Sequence, residues 1–230
     1  METQVIQSNK RLVAAITTIL SLFLMSGVSW AQGHEGHNHS PVGHNLKDVS
    51  VQKLSKPGSL PEITIGASDA KITIIEYASM TCSRCGRFYR DILPKLKSKY
   101  IDTGLARLVV REFPLEKIAL AVSTLPRCVT PTKAYEFIAV LYKRQQWWLQ
   151  RGNIRPKLVE ISRGFGMTES KFDACLKDKS LVGKIISGRK RAIEEFGVDR
   201  TPTFFINGKP LAGPRSIGEF DKIIEPMLKQ

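Results

Sequence analysis

Hydrophobic and polar positions change their period several times along the chain. An uncharged run from Leu12 to Ala31 follows Lys10-Arg11, and residues 32–61 then carry few large apolar groups. From Ile63 the pattern tightens: Ile63-Thr64-Ile65 and Ile72-Thr73-Ile74-Ile75-Glu76-Tyr77 are β-branched runs, bounded by Gly66 and by Ala78-Ser79, and predict strands. Phe88, Ile92, Leu96 and Tyr100 then recur at helical spacing, with Pro94 placed to kink the helix. A strand over Leu105 to Val110 precedes a long helical stretch whose apolar positions include Ile118, Val122, Leu125, Phe137, Leu141, Ile161, Phe172, Ile185, Ile186 and Ile193. Thr130-Pro131 and Thr168 suit helix starts within it. Thr203-Phe204-Phe205-Ile206, Asn207-Gly208 and Lys209-Pro210-Leu211-Ala212 then read as a hairpin. An amphipathic helix carrying Ile217, Phe220, Ile224 and Met227 closes the pattern.

The order is β-α-β, a helical insertion, then β-β-α. That α/β arrangement resembles a thioredoxin-like fold interrupted by an all-helical subdomain. The thioredoxin-like part is placed at 62–117 and 196–230, and the insertion at 118–195. A length of 230 residues suits one such domain.

The N-terminal run reads as a cleaved secretory signal over 1–31, with small residues before the cut at Ala31. An uncleaved anchor is the alternative, since about 20 uncharged residues span a bilayer. Residues 32–61 read as a flexible, His-containing linker. Formal charge is +14, and the leader holds only Glu2, Lys10 and Arg11, so the excess belongs to the remainder. Basic residues fall in short clusters without the aromatic interleaving of a single-strand binder, so nucleic acid is not an expected partner.

Four cysteines in an exported chain indicate an oxidising compartment. Cys82 and Cys85 form Cys-x-x-Cys where a strand turns into a helix. The helix N-terminus favours a thiolate at Cys82, and Arg84 adds a permanent positive charge. Cys82 is then the exposed nucleophile and leaving group, and Cys85 the deeper thiol that resolves a mixed disulfide. Half of a zinc site or a structural clip are the other uses of such a pair. Glu76 lies in an apolar strand, where burial would raise its pKa and suit it to exchange protons with the deeper thiol. A carboxylate at a strand end reaching water is the plainer reading.

The segment Glu76-Tyr77-Ala78-Ser79-Met80-Thr81-Cys82-Ser83-Arg84-Cys85, with Phe196-Gly197-Val198 and Thr201-Pro202-Thr203-Phe204-Phe205-Ile206-Asn207-Gly208, resembles the DsbA-like family of bacterial periplasmic thiol:disulfide oxidoreductases. The resemblance runs from about Leu60 to the end. It implies a redox-active disulfide with no other cofactor and a cis Pro202 packed against the cysteines. It also implies that Thr201 holds a substrate chain. Reduced or unfolded exported proteins are the implied partners, with reoxidation by a DsbB-type membrane oxidase, and the periplasm is the implied location. Ser83-Arg84 departs from the dipeptide usual between the cysteines of the oxidase, Pro-His. That departure leaves an isomerase or reductase of the same fold as an alternative to the oxidase.

Cys128 and Cys175 fall in the insertion. With Cys82 and Cys85 closing locally, the simplest pairing is a structural Cys128–Cys175 bridge, two buried free thiols being the alternative. His34, His37, His39 and His44 cluster beside Glu35. A mature start at Gln32-Gly33-His34 would offer an amine, two amides and an imidazole to Cu(II) or Ni(II). A periplasmic metal-handling protein is thus the reading of a different class. A monomer is expected.

Overall fold

The computed structural model describes residues 46–229 apart from 57 and 151. The leader read over 1–31 and the four histidines lie outside the described residues.

A short helix, α1 (Val51–Ser55), leads into a five-stranded sheet in the order β1-β3-β2-β4-β5. The strands are β1 (Ile63–Ile65), β2 (Ile72–Ala78), β3 (Ala106–Glu112), β4 (Thr203–Ile206) and β5 (Lys209–Ala212). Central β2 runs parallel to β3 and antiparallel to β4, and the outer pairs are antiparallel. Because side chains alternate across a strand, β2 feeds two cores. Ile72, Ile74 and Ala78 join Phe88, Leu96 and Phe204 in the larger. Ile75 and Tyr77 join Phe113, Phe196 and Phe205 in the smaller. Glu76 shares the parity of Ile74 and Ala78, so the strand delivers a carboxyl group to the side of the larger core.

The helical run after β2 is α2 (Ser83–Arg87), a π-helical turn at Phe88–Ile92, α3 (Leu93–Leu96) and a second π-helical turn at Lys97–Ile101. Proline has no N–H for the i−4 carbonyl, and the widened turn ahead of Pro94 lets the run continue past it. Phe88, Ile92, Leu96 and Tyr100 are all buried, as their spacing predicts.

Between β3 and β4 lie α4 (Lys117–Thr124), a 3-10 turn at Leu125–Cys128, α5 (Pro131–Lys143), α6 (Gln145–Trp148), α7 (Ile154–Gly164), α8 (Glu169–Leu176) and α9 (Lys179–Phe196). Asp178 caps α9 by accepting from the Leu181 N–H at 2.9 Å, and left-handed Gly197 (φ 68°) ends it. A Cys128–Cys175 disulfide ties the 3-10 turn to α8 across a sequence separation of 47. In the chain-entropy picture such a loop stabilises by about 4 kcal/mol. Ile118, Ile186 and Ile193, apolar positions of the helical pattern, are exposed.

After the β4–β5 hairpin, α10 (Ile217–Leu228) packs Phe220 and Ile224 into the larger core. Asn207 (φ 45°) and Gly208 (φ 90°) both take the left-handed conformation that a two-residue hairpin turn needs. Gly208 also lacks room for a side chain, because a Cβ there would stand 2.2 Å from the Val49 carbonyl oxygen.

That contact corrects the reading of 32–61 as a flexible linker throughout. From Leu46 onward the chain is docked. The Val49 N–H donates to the Gly208 carbonyl at 3.0 Å, Leu54 is buried, and Leu46 and Val49 pack on the smaller core. Isolated apolar residues carry no period, and these few gain their burial from the smaller core, which includes Phe113, Phe196 and Phe205. Among the described residues no helix is long and apolar enough to cross a membrane.

Candidate active site

Cys82 is the N-cap of α2, and Cys85 lies one turn inside. Both are free thiols in this structure, Cys82 partly exposed and Cys85 fully buried. The Cys85 amide donates to the Cys82 sulfur at 3.4 Å, the N-cap bond in which sulfur replaces the usual side-chain oxygen. Protonated, Cys82 Sγ donates to the Thr201 carbonyl at 3.3 Å. The Thr201-Pro202 bond is cis, and Pro202 is buried.

The two sulfurs are driven apart in acidity. The Cys85 side chain lowers the Cys82 pKa to about 5, against partial burial, with further lowering from Thr201 and from the backbone N–H groups of Cys85 and Arg84. Burial pushes the Cys85 thiol well up, and the neighbouring Cys82 and Glu76 push it further. The peptide N–H of Arg84 is among these influences, and its exposed guanidinium lies toward Gly213.

Glu76 is fully buried, and burial raises its pKa to about 8. The Tyr89 hydroxyl donates to Glu76 Oε2 at 3.1 Å, and Tyr89 stacks on Tyr142 with ring centroids 4.3 Å apart. Oε1 has no hydrogen-bond partner. A carboxyl so placed is protonated near neutral pH and can exchange a proton with a neighbouring thiol.

Gln145 of the insertion and Glu116 just ahead of it hold the turn that carries Cys82, and neither stood out in the sequence. Buried Gln145 donates from Nε2 to the Met80 carbonyl at 2.8 Å and to the Cys82 carbonyl at 2.9 Å. Its Oε1 occupies the space beside Gly86, where a Cβ would stand 2.3 Å away. Glu116 caps α4 by accepting from the N–H groups of Ile118 and Ala119, and it also accepts from the Thr81 hydroxyl at 2.9 Å. A glutamine at the start of a short helix carries no motif, and glutamate is not a residue that usually marks an N-cap. Leu115 and Ile118, flanking that cap, are exposed.

Among the described residues no cluster of three His, Cys, Asp or Glu side chains could hold a metal ion. Cys128 and Cys175 are joined to each other and stand apart from the thiol pair.

A sheet of this order with a Cys-x-x-Cys at the N-terminus of the helix after its central strand, facing a cis-proline loop, defines the thioredoxin class. The Thioredoxin family profile matches residues 59–226, and the chain belongs to that family, in its DsbA-like branch. Alpha-DsbA1 of Wolbachia pipientis superposes with a TM-score of 0.70 at 28% identity, over 79% of this chain and 96% of that one. A Rickettsia bellii protein, named provisionally as a protein-disulfide oxidoreductase, is 32% identical over 148 residues, which are 64% of this chain and 57% of that protein. The match thus spans little more than half of that relative. Disulfide bond formation protein D of Bacillus subtilis is 21% identical over 183 residues, 76% of this chain and 79% of that one.

Proposed function

We propose that the protein is a thiol:disulfide oxidoreductase that donates a Cys82–Cys85 disulfide to reduced, exported proteins. The opposed placement of the two sulfurs carries this reading: Cys82 is reachable and strongly acidic, while Cys85 is buried and weakly acidic. A substrate thiolate attacks Cys82 Sγ of the oxidised protein, and the S–S bond breaks toward Cys85. Cys85 leaves as a high-energy buried thiolate, so Glu76, neutral below about pH 8, is placed to supply its proton. A second substrate thiolate then attacks the substrate sulfur of the mixed disulfide and expels Cys82 as a stable thiolate. The substrate is oxidised by two electrons and the protein becomes a dithiol, needing no other cofactor.

Thr201 and Pro202 form the wall facing Cys82, where a substrate chain would lie. Exposed Leu115 and Ile118 offer apolar surface suited to an unfolded segment. A DsbB-type membrane oxidase would restore the disulfide, and the leader read over 1–31 would place the protein in the periplasm.

Equilibration with glutathione tests the direction of electron flow. An oxidase is expected to show a potential of about −200 mV or higher, and a value near thioredoxin's, about −270 mV, would overturn that direction. Loss of peptide-dithiol oxidation in Cys82→Ser is the expected companion result.

A further inference from the structure

Beside the thiol pair lies a cleft of about 210 Å³ lined by Arg84 and Arg87 of α2 and by Gly213, Pro214 and Arg215 after β5. One wall belongs to the helix that carries Cys82, and the other is bonded to the Thr201-Pro202 loop that faces the Cys82 sulfur. Arg84 stands between the cysteines, and the Gly213 N–H donates to the Pro202 carbonyl at 2.8 Å.

The three guanidinium groups are exposed, and among the described residues none of them forms an ion pair. Seven other arginines, Arg111, Arg127, Arg144, Arg155, Arg163, Arg191 and Arg200, pair with acidic side chains, whereas Arg90, Arg107 and Arg189 form no ion pair among the described residues. Glu219 Oε1 accepts from the Arg215 N–H at 2.8 Å and offsets part of the repulsion among three permanent cations gathered around one concavity, and an anionic visitor relieves more of it. Guanidinium forks match planar carboxylates, donating two parallel N–H bonds to each.

We infer that this cleft binds the acidic side chains of a protein substrate, selecting cysteines that have Asp or Glu close by in sequence. The inference deepens the oxidoreductase reading above and rests on it. An extended substrate chain whose cysteine is bonded to Cys82 passes between two unlike surfaces: Leu115 and Ile118 beside the Thr81–Glu116 contact, and the arginine cleft beyond Arg84. Apolar residues settle on the first, and carboxylates on the second. The formal charge of +14 adds a long-range attraction for acidic chains, which the cleft converts into a local preference.

The test uses the oxidised full-length protein and matched dithiol peptides whose residues beside one cysteine are Glu, Gln or Lys, on either side. Second-order rates of peptide oxidation are followed by acid-quenched chromatography at two ionic strengths. Glu peptides are expected to react about two- to fivefold faster than Gln peptides, with Lys peptides slower still, and added salt should shrink the spread. The Glu-to-Gln rate ratio should fall toward one in Arg87→Ala/Arg215→Ala, yet persist in Lys133→Ala/Lys177→Ala, which removes the same charge elsewhere. Equal rates for all peptides would overturn the inference, as would the same loss of preference in both double variants, which would assign it to the general field of the protein. Sedimentation with vesicles of anionic and zwitterionic phospholipid is the second arm. Binding that needs Arg87 and Arg215, combined with no peptide preference, would overturn the inference in favour of lipid phosphate. If no peptide is oxidised at all, it is the oxidoreductase reading that fails.

Discussion

Gln145, contributed by the helical insertion, donates its side-chain amide to the carbonyl of Cys82 at 2.9 Å and to that of Met80 at 2.8 Å. One buried side chain thus fixes the backbone on which the reactive sulfur is mounted. A Gln145→Leu variant leaves both carbonyls without that donor in a site with little access to water. Such a loss costs about 1–3 kcal/mol of stability, to be read from urea unfolding of the dithiol form. Gly86→Ala should fall in the same range, because the new Cβ would meet Gln145 Oε1 at 2.3 Å and force the amide from its place. Unchanged unfolding midpoints would remove Gln145 from this role.

The titration of Cys82 follows from the side chain and N–H of Cys85. The thiolate absorbance of the reduced protein should rise with a midpoint of about pH 5. In Cys85→Ala the largest lowering influence is gone, so the midpoint should move up toward the ordinary thiol value of 9.0. Because the folded pKa is depressed, the thiolate's contribution to dithiol stability is full above pH 9.0 and is lost as pH falls through about 5. The stability gap between dithiol and disulfide forms should therefore change in favour of the disulfide as the solution is acidified across that window.

For Glu76 the sign is opposite. Its folded pKa is raised to about 8 from 4.5, so the folded state holds a proton that the unfolded chain has released. Its contribution is fully present below pH 4.5 and is lost as pH rises through about 8. Glu76→Gln keeps the shape and removes the titration. Unfolding of the variant should be less sensitive to pH between these values, with a gain on the order of a few kcal/mol above pH 8. Release of Cys85 should slow, since the amide has no acidic proton to give. An exchange rate and pH profile matching the parent would exclude Glu76 from proton transfer.

Removing the second disulfide separates stability from chemistry. Cys128→Ala/Cys175→Ala should unfold at lower denaturant, with a loss of about 4 kcal/mol in the chain-entropy picture. Calorimetry at neutral pH checks the loss. An undiminished melting temperature would mean that the helices hold α8 and the 3-10 turn together without it.

Much of this site could be read from the chain because its parts are local. Cys-x-x-Cys after a β-branched run fixes a turn of helix and the relative depth of two sulfurs. A carboxylate at the parity of Ile74 and Ala78 must point to the same side as they do, and Asn207-Gly208 admits few turns besides the one it makes. Such features depend on residues a few positions apart, whose geometry is set by backbone sterics and period.

What only the tertiary structure decided depends on residues brought together from far along the chain. Thr201 meets Cys82 at a separation of 119, Gln145 reaches it at 63, and the Arg215 side of the cleft closes on Arg84 through the turn after β5. Leu46, Val49 and Leu54 have no period of their own and dock because the smaller core, assembled from β2, β3, β4 and the end of α9, offers them a surface. Arg84 shows both sides: its place between the cysteines is written in the sequence, but whether its charge falls on the thiolate or on an open cleft is set by where the chain returns beside it.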